Sequence, residues 1–410
     1  MKHVIVGAGA AGITAAKTIR ELRPQDQIEL ISADEHVHSR CMLHKYISGE
    51  RELSALSFVD EGFFERNRVV WRGGLRVTGV DTDSKAVLYN DGRIYYDKLL
   101  IATGSDSVIP PVGALRTAKN VFGIRHLSDA TAIREAALQA RRAVVLGAGL
   151  TGLDAAYALL EMKKDVTVVE MLPGILSLNL DKRAAQTYKN LFEEAGCKFH
   201  LWRMLVNTVE DRFGNVAQVV LEDGTVLDCD FLVSAAGVRP AVGFLEGSGI
   251  AHEFAVTVDK HMATSCPDVY AAGDVAGLSA IWPNAMRQGE VAAKNMCGAA
   301  EVYDDSFTAK NTINFFGLTT LSVGEFEQKP GDTVVQREDR RMYQKVIMRN
   351  GCVAGIIMQG DISGCGFWQY LIKNRIRVDG VQKPIWKISF ADFCELEESG
   401  EYRWAVAGNG

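Results

Sequence analysis

The sequence predicts an α/β chain of two Rossmann-like dinucleotide-binding domains followed by a small α+β C-terminal domain, on three observations. Residues 4–16 read VIVGAGAAGITAA and residues 144–156 read VVLGAGLTGLDAA, one pattern repeated at an interval of 140 residues. Each copy is completed by a second strand ending in acid, QIELISADE at 27–35 and DVTVVE at 165–170. From about residue 305 the pattern changes to successive strands, TINFFGLTTLSVGEF and then YQKVIMRNGCVAGIIMQGD, with a hairpin signal at Asn350-Gly351.

Each copy is a short β-branched strand, then G-x-G-x-x-G, then small apolar residues at helical spacing. The first set is Gly7, Gly9 and Gly12, with Ala10 and Ala11 between the last two; the second is Gly147, Gly149 and Gly152. In such a motif the first glycine permits the sharp turn. The second lets backbone N–H groups reach a pyrophosphate, and the third lets helix and strand pack closely. One glycine motif alone is weak, because ligand-free strand-to-helix turns also use glycine, whereas two complete copies are strong. Past the second strands, Asp34 and Glu35 are candidate nucleotide-binding acids in the first copy, each weighed against a solvated loop acid, and Glu170 is the candidate in the second. A carboxylate at Glu170 accepts hydrogen bonds from the ribose of NADH and repels the extra phosphate of NADPH, so NADH is the expected nucleotide.

Length and composition narrow the remaining classes. A chain of 410 residues is too long for one core and is expected to form two or three domains. The formal net charge of -6 argues against nucleic acid as a partner. No apolar run reaches the ~18 residues of a membrane span, and the chain is expected to be cytoplasmic with no membrane partner. The eight cysteines form no C-x-x-C pair, so no metal site is expected.

Three further segments resemble those of the two-dinucleotide flavoprotein reductases, the pyridine nucleotide-disulfide oxidoreductase superfamily, over residues 1 to about 300. YDKLLIATGS at 96–105, with Ala102, Thr103 and Gly104, resembles the crossing from the FAD domain to the NAD domain, and LVSAAGVRP at 232–240, with Gly237, the return crossing. VYAAGDVAG at 269–277 is similar to the late FAD motif, with Gly273 and with Asp274 on the ribityl chain. The resemblance implies FAD and NAD(H) as cofactors. It also implies a discontinuous FAD domain at 1–110 and 236–304, an NAD domain at 111–235, and a C-terminal interface or dimerisation domain at 305–410.

Within the superfamily, HSRCMLHK at 38–45 resembles the branch of NADH:rubredoxin reductases and the flavin domain of NADH nitrite reductases, with Arg40, Leu43 and Lys45 matching and His38 replacing an aromatic. That resemblance implies Arg40 as an FAD contact. It places Lys45 near flavin N5, paired with Asp154, where its charge favours hydride arrival. It further implies that backbone N–H groups near Asn284 and Ala285 face the flavin pyrimidine, with Trp282 as a shield. The implied partner is a rubredoxin- or ferredoxin-type carrier, or the iron–sulfur subunits of a complex such as a phenylglyoxylate-type dehydrogenase, with the direction of flow left open. Cys41 supports a rival reading, a thiol-dependent NADH oxidase, peroxidase or disulfide reductase. A non-catalytic redox-sensing flavoprotein is the third. Arg337, Arg340, Arg341, Lys345 and Arg349, with Lys373, Arg375 and Arg377, are either a basic face for an acidic carrier or a solvated surface interleaved with Glu338 and Asp339.

Overall fold

The computed structural model describes residues 1–90, 92–304 and 310–404. They divide into two compact units, Met1–Met171 with Gly196–Asp304, and Leu172–Ala195 with the described part of Asp305–Gly410. The first unit holds two five-stranded parallel sheets with the same internal logic. In the first sheet the order is Val269–Ala271, Lys98–Ile101, Lys2–Val6, Gln27–Ile31, Val69–Arg72. In the second it is Lys198–Leu201, Asp165–Glu170, Arg142–Leu146, Phe231–Ser234, Val121–Phe122. The repeat strand is central in both, and its apolar residues are fully buried, as a strand covered on two faces requires.

A three-stranded antiparallel meander accompanies each sheet: Val77–Asp81, Ala86–Tyr89 and Gly92–Tyr95 with the first, Leu205–Glu210, Val216–Leu221 and Val226–Asp228 with the second. The two crossing segments lie side by side. Ser105–Ser107 pairs antiparallel with Val238–Pro240, Pro240 opposite Ser105, so chain leaving the first sheet and chain returning to it form one ribbon.

The helix Trp282–Met296 locks the late motif in place. Its Gly289 packs so tightly that a Cβ there would lie 2.2 Å from the Ala11 carbonyl oxygen, and its fully buried Gln288 accepts the Gly273 N–H at 2.7 Å. Pro283 stands in the first turn, where its missing N–H costs nothing.

The second unit is a five-stranded antiparallel sheet in the order Lys310–Phe315, Leu318–Gly324, Cys352–Gln359, Tyr343–Arg349, Thr333–Glu338. Asn350 and Gly351 both take positive φ, as a two-residue hairpin demands. The helix Cys365–Lys373 shares a core with this sheet through Phe367, Trp368 and Leu371. The segment Leu172–Ala195, which the sequence assigns to the 111–235 domain, groups instead with this sheet. In its helix Lys182–Glu194, the buried Tyr188 hydroxyl donates to the Leu318 carbonyl at 3.0 Å, and Phe192 lies edge-on to Phe315. The helix is polar on one face, so it joins whichever sheet its apolar face fits.

The same unit narrows the basic-face expectation. Lys345 is buried, with its ammonium 3.0 Å from Asp181; Arg349 bridges Glu325 and Asp332; Arg337 lies over the Trp386 ring at 4.6 Å. Lys345 and Arg349, together with Arg377 on Asp379, are neutralised by carboxylates of the same unit, whereas Arg337 keeps its charge over a neutral ring. Among the described residues no helix is long and apolar enough to cross a membrane, and no group of three or more His, Cys, Asp or Glu stands ready to hold a metal ion.

Candidate functional site

The two glycine motifs repeat each other nearly atom for atom. Gly7 (φ +112°) accepts no Cβ, which would lie 2.1 Å from the Ala102 carbonyl oxygen; Gly147 (φ +101°) would place its Cβ 2.5 Å from that of Ala235. Ala102 N–H donates to Val6 at 2.8 Å and Ala235 N–H to Leu146 at 2.8 Å, so each crossing segment is hydrogen-bonded to its repeat strand just ahead of the first glycine. At Gly12 and Gly152 a Cβ would sit 1.9 Å from the carbonyl oxygen of Gly7 and of Gly147 respectively. The second glycines differ from both. Nothing lies within 4 Å of a Cβ at Gly149, and at Gly9 the nearest atom is an Arg40 guanidinium nitrogen at 3.4 Å. The first and third glycines are therefore required by the protein's own packing, whereas the second opens onto space at a helix N-terminus, the cradle a pyrophosphate fits.

At the first cradle a cavity of about 860 Å³ is lined by Gly7, Gly9, Asp34, Glu35, Arg40 and Thr103, among others. Asp34 accepts from Arg40 at 3.2 Å. Burial pushes the Arg40 guanidinium down from its ordinary value, the neighbouring Arg125 charge adds to this, and Asp34 and Asp274 oppose it. Arg40 thus stands beside Gly9 and Arg125 beside Gly104, two cations that favour an anionic ligand. Asp274 accepts from the Ser105 hydroxyl at 2.8 Å and from Arg125 at 2.5 Å, and Thr103 donates to the Ala241 carbonyl at 3.0 Å. Gly104, Gly237 and Gly273 all take positive φ on the segments around these residues. Size, glycine cradle and cationic rim fit FAD.

At the second cradle Glu170 already has work to do, accepting the Ala148 N–H of the glycine loop at 2.6 Å. Its register partner in the neighbouring strand is Leu201, and the Arg203 N–H donates to its backbone carbonyl at 3.0 Å. In the first copy the corresponding position, directly after the second strand, is Ser32, and the acids Asp34 and Glu35 follow it in the loop.

The second cradle's helix reaches the segment that follows Arg40. The helix Leu150–Glu161, which starts at Gly149, packs against the helix Leu43–Ile47. His44 Nδ1 lies 3.6 Å from Asp154 Oδ1, and the Lys45 ammonium lies 5.9 Å from the Tyr157 ring. The expected Lys45–Asp154 ion pair does not form. Lys45 instead donates to Glu50 at 2.5 Å, a carboxylate five residues along the same segment that needs no long-range ordering to reach it. Burial pushes Asp154 up to about 7 against the pull of Lys45, and burial together with the Lys45 charge pushes His44 down to about 4. Near neutral pH Asp154 is therefore about half protonated and His44 is neutral. Because the native state holds a proton that the unfolded chain releases near 3.8, this group lowers native stability as pH rises from 4 to 7, with no further loss above. The upper bound is ~4 kcal/mol at 1.36 kcal/mol per pH unit, and solvent contact on a side chain 30% exposed reduces it. Asp154→Asn is expected to gain about 1–2 kcal/mol over the parent at pH 8 and nothing at pH 4; thermal melts across that range check it, and a constant difference would remove the raised carboxyl.

Cys41 reaches the surface, yet desolvation raises its thiol above the usual range and Asp154 adds to the rise. It is a poor thiolate. Asn284 is buried and donates to the Ser279 hydroxyl at 3.0 Å, while Trp282 packs edge-on to Phe58 at 4.7 Å. Arg125, Ser105, Glu50 and Gln288 escaped the sequence reading: the partner of Arg125 and Ser105 is Asp274, 149 and 169 residues away, and the pairings of Glu50 and Gln288, though local, belong to no motif.

The family model described as pyridine nucleotide-disulphide oxidoreductase matches residues 1–289, and that described as rubredoxin NAD+ reductase C-terminal domain matches residues 310–376. The epsilon subunit of an NADH-dependent phenylglyoxylate dehydrogenase from Aromatoleum evansii is 32% identical over 91% of this chain and 92% of its own length. A nitrite reductase [NAD(P)H] from Bacillus subtilis is 30% identical over 88% of this chain, which spans 46% of that protein. In fold, the chain is similar to NADH:rubredoxin oxidoreductase from Clostridium acetobutylicum, with a TM-score of 0.73 at 24% identity, covering 93% of this chain and 97% of that one.

Proposed function

The chain belongs to the pyridine nucleotide-disulphide oxidoreductase family, and from that membership we propose that it passes electrons between NAD(H) and a one-electron iron–sulfur carrier of the rubredoxin or ferredoxin type, or the iron–sulfur subunits of a larger 2-oxoacid dehydrogenase. It is an NAD(H)-dependent oxidoreductase with FAD and NAD(H) as cofactors. The observation that carries the reading is the contact between the helix that starts at Gly149 and the short helix Leu43–Ile47, which bears Lys45 and follows Arg40 of the first cavity.

In this reading Gly7–Gly12 and Arg40 hold the FAD pyrophosphate, and Asp274, steadied by Ser105 and Arg125, receives the ribityl hydroxyls. Gly147–Gly152 hold the NADH pyrophosphate while Glu170 accepts from its ribose. Lys45, already paired with Glu50, would set its ammonium near the flavin, and the proton on Asp154 removes a second, offsetting charge below neutral pH. The bound flavin supplies acceptance of a hydride and its release as single electrons, a division nicotinamide cannot make. The acceptor rests on what the similar proteins are named for: an NADH:rubredoxin oxidoreductase in fold, and in sequence a subunit of an NADH-dependent dehydrogenase.

Anaerobic stopped-flow mixing with NADH, followed by reduced protein mixed with oxidised rubredoxin or ferredoxin, tests it. Fast bleaching and fast carrier reduction are expected; slow bleaching with a long-lived charge-transfer band would favour a redox sensor instead. The raised Cys41 thiol adds a second expectation. Cys41→Ser should hold both rates within about fivefold of the parent, less than ~1 kcal/mol of barrier. Abolished turnover would hand the site to the thiol-dependent reading.

A further inference from the structure

We propose that Trp202 is the adenine platform of the pyridine-nucleotide site, an inference that rests on the assignment of NADH to the second glycine cradle. Trp202 is the first residue beyond the edge strand Lys198–Leu201, at the carboxyl end of the parallel sheet, where ligands of open α/β sheets bind. The residue is 62% exposed, and its backbone takes φ +56°, a conformation that side-chain-bearing residues avoid unless the surroundings impose it.

The surroundings do impose it. On one side Leu201 is in register with Glu170; on the other Arg203 N–H donates to the Glu170 carbonyl at 3.0 Å. Arg203 also donates to the Trp202 carbonyl at 2.8 Å, and its guanidinium is fixed by Asp223 at 2.5 Å. Trp202 is thus held between two residues that both register on Glu170, one strand spacing of ~4.8 Å away. The acid meant for the adenosine ribose and the exposed indole share one edge, and the adenine is the group attached to that ribose.

An indole in this position offers a flat apolar face to a base and excludes water from one side of it. Met171, the residue after Glu170, is exposed as well. Arg203, the nearest cation in sequence, is committed to Asp223 and offers no guanidinium to a ribose phosphate, in keeping with a platform for NADH rather than NADPH.

The test uses FAD-loaded protein and two kinds of nucleotide. In calorimetric titrations with NAD+, Trp202→Ala is expected to raise Kd about 10-fold, equivalent to ~1.4 kcal/mol, while Trp202→Phe, which keeps a ring, returns it to within about threefold. In stopped-flow reduction the alanine variant should need more NADH for the same limiting rate, yet react with reduced nicotinamide mononucleotide, which lacks adenine, just as the parent does. An unchanged Kd for NAD+ in Trp202→Ala, or an equal loss with the mononucleotide, overturns the platform. Parent protein that binds no NAD+ overturns the functional reading itself and the platform with it.

Discussion

Replacing Gly149 with valine leaves a folded, yellow protein that NADH no longer reduces at a useful rate. The expectation follows from an asymmetry within one motif. At Gly147 and Gly152 a side chain collides with backbone oxygens 2.5 and 1.9 Å away, so substitution there damages the fold and says little about ligands. At Gly149 a Cβ has no protein atom within 4 Å, and φ is an ordinary -74°. The protein tolerates the branched side chain; the pyrophosphate, expected against that backbone, does not. Displacing a nucleotide by even ~1 Å costs about 100-fold in rate. Thermal melts and FAD content should match the parent while NADH-driven bleaching falls by at least about 100-fold. Normal bleaching would show that no dinucleotide lies over Gly149.

Lys45→Met is expected to slow NADH-driven flavin reduction about 100-fold, the usual cost of one electrostatic stabiliser at a reacting centre, with FAD still bound. The side chain is lost without disturbing the fold, because its partner Glu50 is more than half exposed and an exposed ion pair contributes little. What is lost is a charge next to Tyr157 and Asp154, on the helix that starts at the second cradle. The ratio of parent to variant rates should be larger below pH 7 than above it, because ionised Asp154 offsets the same ammonium. Equal rates in parent and variant would withdraw the role of Lys45, and a colourless variant would assign it to cofactor retention instead.

What could be read from the residues alone was whatever hard-sphere geometry dictates. Gly7, Gly12, Gly147 and Gly152 carry their function in the absence of a side chain, and the strands around them declare themselves by β-branched runs, so both parallel sheets were legible. The hairpin at Asn350-Gly351 was legible for the same reason. Pairings between charged side chains were not. Lys45 has carboxylates available at Glu50 and at Asp154, and which one it joins depends on reach and desolvation, quantities a motif does not encode. Lys345 reads as a surface cation until Asp181, 164 residues earlier, is placed beside it. The same holds for the helix Lys182–Glu194, whose polar and apolar faces the sequence displays without saying which sheet receives the apolar one.

The paired crossings at Ser105–Ser107 and Val238–Pro240 set a timetable for synthesis. As the chain leaves the ribosome, Lys98–Ile101 emerges early and stands as a bare sheet edge until Val269–Ala271 arrives to cover it, and Gln288 must follow before Gly273 has its acceptor. The half that is translated between them has all five of its parallel strands in hand by Ser234 and can close first. The nascent polypeptide therefore completes the later-starting repeat before the earlier one, and pulse-labelling of stalled chains should find protection at Val144 ahead of Val4.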